Sequence, residues 1–171
     1  MILAFDTYYF DKKAKTVCLA FADWPDEAPY QIHSETLDNV EDYTPGAFYR
    51  RELPCILSLL KQVELADVEA IVIDGFVYLD DSGKLGLGGH LCHALGGQVP
   101  VIGVAKTNFA TIETCKKPLL RGKSTRPLYI TAIGTDLEVA TAHIQSMSGD
   151  FRIPALLKQL DGLTKEKTAA V

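Results

Sequence analysis

The chain has 171 residues, 47% of them hydrophobic and 23% charged, with a formal net charge of −5. Such a chain most economically closes one hydrophobic core. It holds no apolar run long enough to span a membrane, and its acidity argues against a generic nucleic-acid coat protein while leaving room for a local basic surface. The four cysteines, Cys18, Cys55, Cys92 and Cys115, form no C-x-x-C pair. That pattern points to reduced thiols in a cytoplasmic protein rather than a disulfide framework or a zinc site.

Ile2 to Asp6 is an apolar strand ending in an acid. No basic stretch precedes it, so no signal peptide is expected. Asp11 to Lys15 reads as a turn, Thr16 to Ala22 as the next strand, Trp24 to Pro29 as another turn, and Tyr30 to Thr36 as a third, alternating strand. Three strands on short turns predict an antiparallel meander. After an acidic connection, Tyr43-Thr44-Pro45-Gly46 makes a turn into a helix reaching about Leu65. Tyr49, Leu53, Ile56, Leu60 and Val63 form its apolar stripe, and Glu52 falls on that inward face. A buried carboxylate calls for a cation or donor beside it. Pro54 predicts a kink or break in the helix.

Ala70 to Asp74 is a continuous apolar run closed by an acid and Gly75, the pattern of a central, parallel strand. A loop from Phe76 to Lys84 follows, then a glycine-rich helix from Leu85 to Leu95. His90, Cys92 and His93 do not share one helical face and are assigned to packing. Pro100 to Ala105 is another buried strand, ending at Lys106. Lys106 to Arg126 reads as irregular, Leu128 to Ile133 as the last strand, Thr135 to Ser146 as a helix with a Thr135–Glu138 capping box, and Phe151 to Leu160 as a short terminal helix. Residues 1–163 make a single domain in this reading, with 164–171 a terminal tail. The order predicts an α/β, ribonuclease H-like fold: a mixed sheet led by a three-strand meander, with helices on both faces.

In such sheets the site lies outside the carboxyl ends of the parallel strands. If the first strand neighbours the Asp74 strand and the first helix covers them, Asp6, Glu52 and Asp74 converge. Three like charges raise one another's pKa unless a cation intervenes, and oxygen ligands suit Mg²⁺, with Mn²⁺ able to substitute. Such a site can activate water and stabilise the leaving oxygen of a phosphodiester. Lys106 is either a solvated strand end or a cation beside the scissile phosphate or the metal-bound water. Lys106, Lys116, Lys117, Arg121, Lys123 and Arg126 face the single acid Glu113 in their segment, a surface for a phosphate backbone.

These residues resemble the endonuclease V family, the deoxyinosine 3′-endonucleases. Asp6-Thr7-Tyr8-Tyr9 resembles the family's first-strand metal aspartate and the aromatic after it. Tyr43-Thr44-Pro45-Gly46, continuing through Ala47-Phe48-Tyr49-Arg50-Arg51 to Glu52, resembles its Tyr-x-Pro-Gly wedge turn and the helix up to its metal glutamate. Asp74-Gly75 is similar to its second metal aspartate. The stretch from Leu85 to Leu91 is similar to its Leu-Gly-x-Ala-Ser-His helix, Gly103-Val104-Ala105-Lys106 to its Gly-Val-Ala-Lys, and Pro127-Leu128-Tyr129 to its last strand. The resemblance implies Mg²⁺-dependent hydrolysis near inosine in DNA or RNA, by a protein expected to be monomeric, with Tyr43, Pro45 and Gly46 as the wedge.

Two stretches depart from the family. The loop Phe76–Lys84 lacks its Gly-x-x-His-Pro-Arg-Arg, and Thr131–Thr135 lacks its Ser-Pro-Gly-His. At the matching places the chain offers Asp80 or Asp81, and Thr135 or Asp136, with Asp136 a candidate fourth metal carboxylate. The competing reading is a catalytically weak or inactive nucleic-acid-binding module that keeps the fold.

Overall fold

The computed structural model describes residues 1–45 and 47–166. Its elements are β1 (Ile2–Phe10), β2 (Lys13–Phe21), β3 (Gln31–Asp38), α1 (Tyr49–Leu60), β4 (Ala70–Asp74), α2 (Leu87–Ala94), β5 (Val101–Ala105), β6 (Lys117–Leu119), β7 (Leu128–Ile133), α3 (Leu137–Ser146) and α4 (Ala155–Lys165). The strands form one seven-stranded sheet in the order β3-β2-β1-β4-β5-β7-β6. The leading three strands are an antiparallel meander, β1, β4 and β5 run parallel, and β7 and β6 return antiparallel. This is the expected mixed sheet with helices on both faces.

Period-two alternation sorts the core. Leu3, Phe5, Ile71 and Ile73 pack with Ile56 and Leu59 of α1 and Leu91 of α2. Ile2, Ala4, Val72 and Val104 point the other way, onto Ile144 of α3 and Leu156 and Leu160 of α4. Each fully buried aliphatic side chain stabilises by roughly 1.5–3 kcal/mol. Among the described residues, no helix is long and apolar enough to cross a membrane.

Several boundaries differ from expectation. β1 runs on past Asp6 to Phe10, because Thr7, Tyr8, Tyr9 and Phe10 suit a strand and keep pairing with β2. Its turn shrinks to Asp11-Lys12, with φ of 47° and 59°. Positive φ at both central positions is the twist-matched two-residue hairpin. Helix α1 passes through Pro54 unbroken. The carbonyl that Pro54 leaves without a partner belongs to Arg50, and both residues are exposed, so water reaches it.

The segment expected to be irregular contains β6. Helix α3 is capped by Asp136, which accepts from the N–H groups of Glu138 and Val139, rather than by Thr135. Helix α4 starts after Pro154 and extends to Lys165, with Thr164 buried. The end of the domain is therefore packed further than expected, and Lys15 Nζ donates to the Glu166 carbonyl at 2.8 Å. Residues 167–171 of the expected tail lie outside the described residues.

Candidate active site

The parallel register brings two acids side by side. Phe5 pairs with Ile73, so Asp6 and Asp74 are the next residues along neighbouring strands. Both continue the Ala4 and Val72 side of the sheet, the side covered by α4. Asp74 leaves the sheet under a tight crossing, because Gly75 passes over Gly103, where a Cβ would come within 2.5 Å of the Gly75 carbonyl. Lys106 follows the last residue of β5. Asp6, Asp74, Lys106 and Asp161 of α4 line one small cavity, floored by Val72, Val104 and Leu160.

Lys106 Nζ lies 3.5 Å from Asp74 and 3.9 Å from Asp161. Lys165, one turn along α4, bonds the other oxygen of Asp161 at 2.8 Å. Burial, then the nearby Asp74, raises the Asp6 carboxyl from 3.8 to about 6, although it accepts the Thr7 N–H at 2.9 Å. Asp74 is pushed up by burial and partly drawn back by Lys106.

Glu52 is buried on the inward face of α1, as its spacing implied. Burial, then Asp6, then Asp74 hold its carboxyl well above the usual range, with the Thr7 hydroxyl offsetting part of this. It feels both acids, yet it sits on the helix of the opposite face and does not line the cavity. Among the described residues, no three His, Cys, Asp or Glu side chains are gathered closely enough to hold a metal ion as placed. The donors are nonetheless hard oxygens whose mutual repulsion a divalent cation would relieve, so in kind they fit Mg²⁺. Lys106 is the cation already among them.

Asp136 is not part of this group. Because β7 runs antiparallel to β5, Ile133 pairs with Val101 and the chain leaves β7 at the opposite end of the strands from Asp74 and Lys106. Asp136 is a helix cap there. Asp161 is the acid that sequence reasoning missed. It follows Leu160 and stands four residues after Leu157, at the border of an apolar helical stripe, the same signal that singled out Glu52.

The basic segment divides. Arg121 is a correction: it is 3% exposed and donates to the carbonyls of Phe151 and Met147, both at 2.6 Å, so it builds structure and is closed to a phosphate. Lys117 pairs with Glu138, and Lys116 bonds Asn108 at 2.6 Å. Lys123 and Arg126 are exposed. Asp80 closes its own turn by accepting from the Ser82 and Lys84 amides, and Asp81 accepts from the amides of Glu113, Thr114 and Cys115. Both acids shape loops at the rim of the molecule. His90 stacks on Tyr49 with centroids 3.7 Å apart, and Cys92 is buried. Tyr43 is exposed near Phe48, with centroids 6.3 Å apart, and Pro45 is exposed beside them. Gly46 lies outside the described residues.

The Endonuclease V family profile matches residues 1–147. The chain belongs to the endonuclease V family. Similar solved structures include human ENDOV, at 25% identity over 96% of this chain and 82% of that one, with a TM-score of 0.73. Endonuclease V from Streptomyces avermitilis is similar at 23% identity, 96% and 79% coverage and a TM-score of 0.74. Endonuclease V from Ciona intestinalis, in complex with a 24mer DNA containing an inosine followed by a ribo-adenosine, aligns at 16% identity, 96% and 84% coverage and a TM-score of 0.79. No curated protein sequence matches the chain. Endonuclease V structures share the ribonuclease H-like fold described above, and this chain has it.

Proposed function

We propose that this endonuclease V family member is a metal-dependent endonuclease that hydrolyses a phosphodiester near deoxyinosine, or another modified base, in nucleic acid. The observation that carries the reading is the meeting of Asp74 and Lys106, at the carboxyl ends of β4 and β5, with Asp6 in the middle of β1 and Asp161 of α4. The Ciona relative, in complex with inosine-containing DNA, supports the choice of substrate.

Asp6, Asp74 and Asp161 are the carboxylates that would hold Mg²⁺ or Mn²⁺, with Glu52 buried on the helix of the opposite face, where its charged form is disfavoured. When bound, such an ion activates a water and stabilises the leaving oxygen. Lys106 carries the fixed positive charge of the site and would hold a non-bridging phosphate oxygen or position the attacking water. Asp6 keeps a proton at mildly acidic pH until a cation relieves its neighbours. Tyr43, with Pro45, offers the exposed ring that would fill the gap left by an everted base.

A second reading, a weak or inactive binding module, is favoured by one observation: the acids are not gathered for a metal as they stand. A nicking assay on inosine-containing and unmodified DNA and RNA, with Mg²⁺ and with Mn²⁺, separates the two. Cleavage of the inosine strand that disappears in Asp74→Asn supports the enzyme. Retained binding with no cleavage under either ion would favour the module.

A further inference from the structure

A groove opens beside the carboxylate cavity, and two arginines build it. Gly122 has φ +60°, and a Cβ there would sit 2.3 Å from the Asp150 carbonyl, so the loop at 121–124 lies directly on the loop at 147–153. Arg121 reaches across to the carbonyls of Met147, Gly149 and Phe151. Arg152 reaches back to those of Arg126, Pro127 and Lys106. Backbone carbonyls satisfied in this way hold both walls in place.

Lys123, Asp150, Phe151, Arg152, Ile153 and Lys158 line the groove. Its three cations face one acid in a chain of net charge −5. Among the described residues, neither Lys123 nor Lys158 takes part in an ion pair. Phe151 is 72% exposed, with Lys158 Nζ 5.7 Å from its ring. A single exposed phenylalanine is ordinary. A phenylalanine held on a braced loop, flanked by unpaired lysines and joined to the catalytic cavity through Ile153, which lines both, is a built surface.

We propose that this groove is a subsite for an unpaired stretch of nucleic acid next to the scissile phosphate, with a base stacked on Phe151 and phosphates against Lys123 and Lys158. The proposal rests on the nuclease reading and adds to it the path of the strand. Stacking on an aromatic face combined with lysine contacts is how single strands are held without regard to sequence. Phe151, Arg152 and Lys158 lie beyond residue 147, where the family match ends.

The test is fluorescence anisotropy in EDTA. The probes are a blunt inosine-containing duplex, the unmodified duplex, and the inosine duplex with a single-stranded extension at its 5′ or its 3′ end. One of the extensions tightens wild-type binding. Phe151→Ala loses about tenfold of that gain, Phe151→Tyr keeps it, and Lys123→Gln with Lys158→Gln lowers the salt slope by about one to two. Phe151 is exposed, so these variants fold. An extension that helps Phe151→Ala as much as wild type, or helps neither, overturns the subsite. Equal binding of the inosine and unmodified duplexes, with a Phe151-dependent gain, would leave the subsite standing while counting against the inosine reading.

Discussion

The carboxylate cavity and the arginine-braced groove beside it share the Ile153 wall, yet they treat charge in opposite ways. In the cavity, like charges crowd and Lys106 answers them only in part: burial and neighbouring acids lift Asp6 to about 6 and raise Asp74. In the groove walls, the buried Arg121 and the half-buried Arg152 face main-chain carbonyls, and each is answered by several acceptors. The first arrangement stores repulsion that a bound cation can release. The second uses its two arginines to hold two loops together. A basic residue near a nucleic-acid site is therefore informative only once its acceptor is known.

The difference can be broken most severely at Arg121. Arg121→Met keeps much of the stem volume but leaves the carbonyls of Met147, Gly149 and Phe151 without their donor. Only the bond to Met147 is buried, while Gly149 and Phe151 are exposed to water, so urea unfolding is expected to reveal a loss of about 1–3 kcal/mol. A loss under about 0.5 kcal/mol would mean that the guanidinium does not brace the loops.

The cavity should respond to pH in the opposite sense to an ordinary paired carboxylate. Asp6 has its folded pKa raised from 3.8 to about 6. Below 3.8 it is protonated in both states and costs nothing. As pH rises through that window the unfolded chain releases its proton first, and the folded state loses up to about 3 kcal/mol relative to a neutral group. In EDTA, Asp6→Asn should therefore gain stability over wild type between pH 4.5 and 7.5, with thermal melts as the readout. Parallel pH profiles for the two proteins would contradict the repulsion.

Smaller effects sharpen the edges of the comparison. Asp136→Ala removes the α3 cap and should cost about 1 kcal/mol by denaturant titration. Lys117→Met breaks only the half-exposed pair with Glu138 and should cost at most about 1 kcal/mol in the same titration.

Much of this was legible in the sequence because period and chemistry agreed. The apolar run at Ala70–Asp74 defined β4 residue for residue, and the stripe around Glu52 placed that carboxylate inward. The order of elements implied the sheet, and the sheet implied that Asp6 and Asp74 would be neighbours. What escaped depended on direction and on distant acceptors. Asp136 looked suitable as a fourth acid until the antiparallel return of β7 placed it at the far end of the strands. Asp161 was hidden because the terminal helix was read as ending at Leu160, one residue short of it. Arg121 was counted with the exposed cations, since nothing local indicates that carbonyls about 30 residues away accept from it.

In the proposed enzyme, Asp161 forms the reactive centre with Asp6, Asp74 and Lys106, and Asp136 stands outside it. Nicking of inosine-containing DNA with Mn²⁺, measured side by side for Asp161→Asn and Asp136→Asn, tests this most directly. Asp161→Asn is expected to lose about a hundredfold or more, the scale of removing one group that stabilises developing charge. Asp136→Asn is expected to change by less than about twofold once both are confirmed as folded. Full activity in Asp161→Asn, or a collapse in Asp136→Asn, would contradict this assignment.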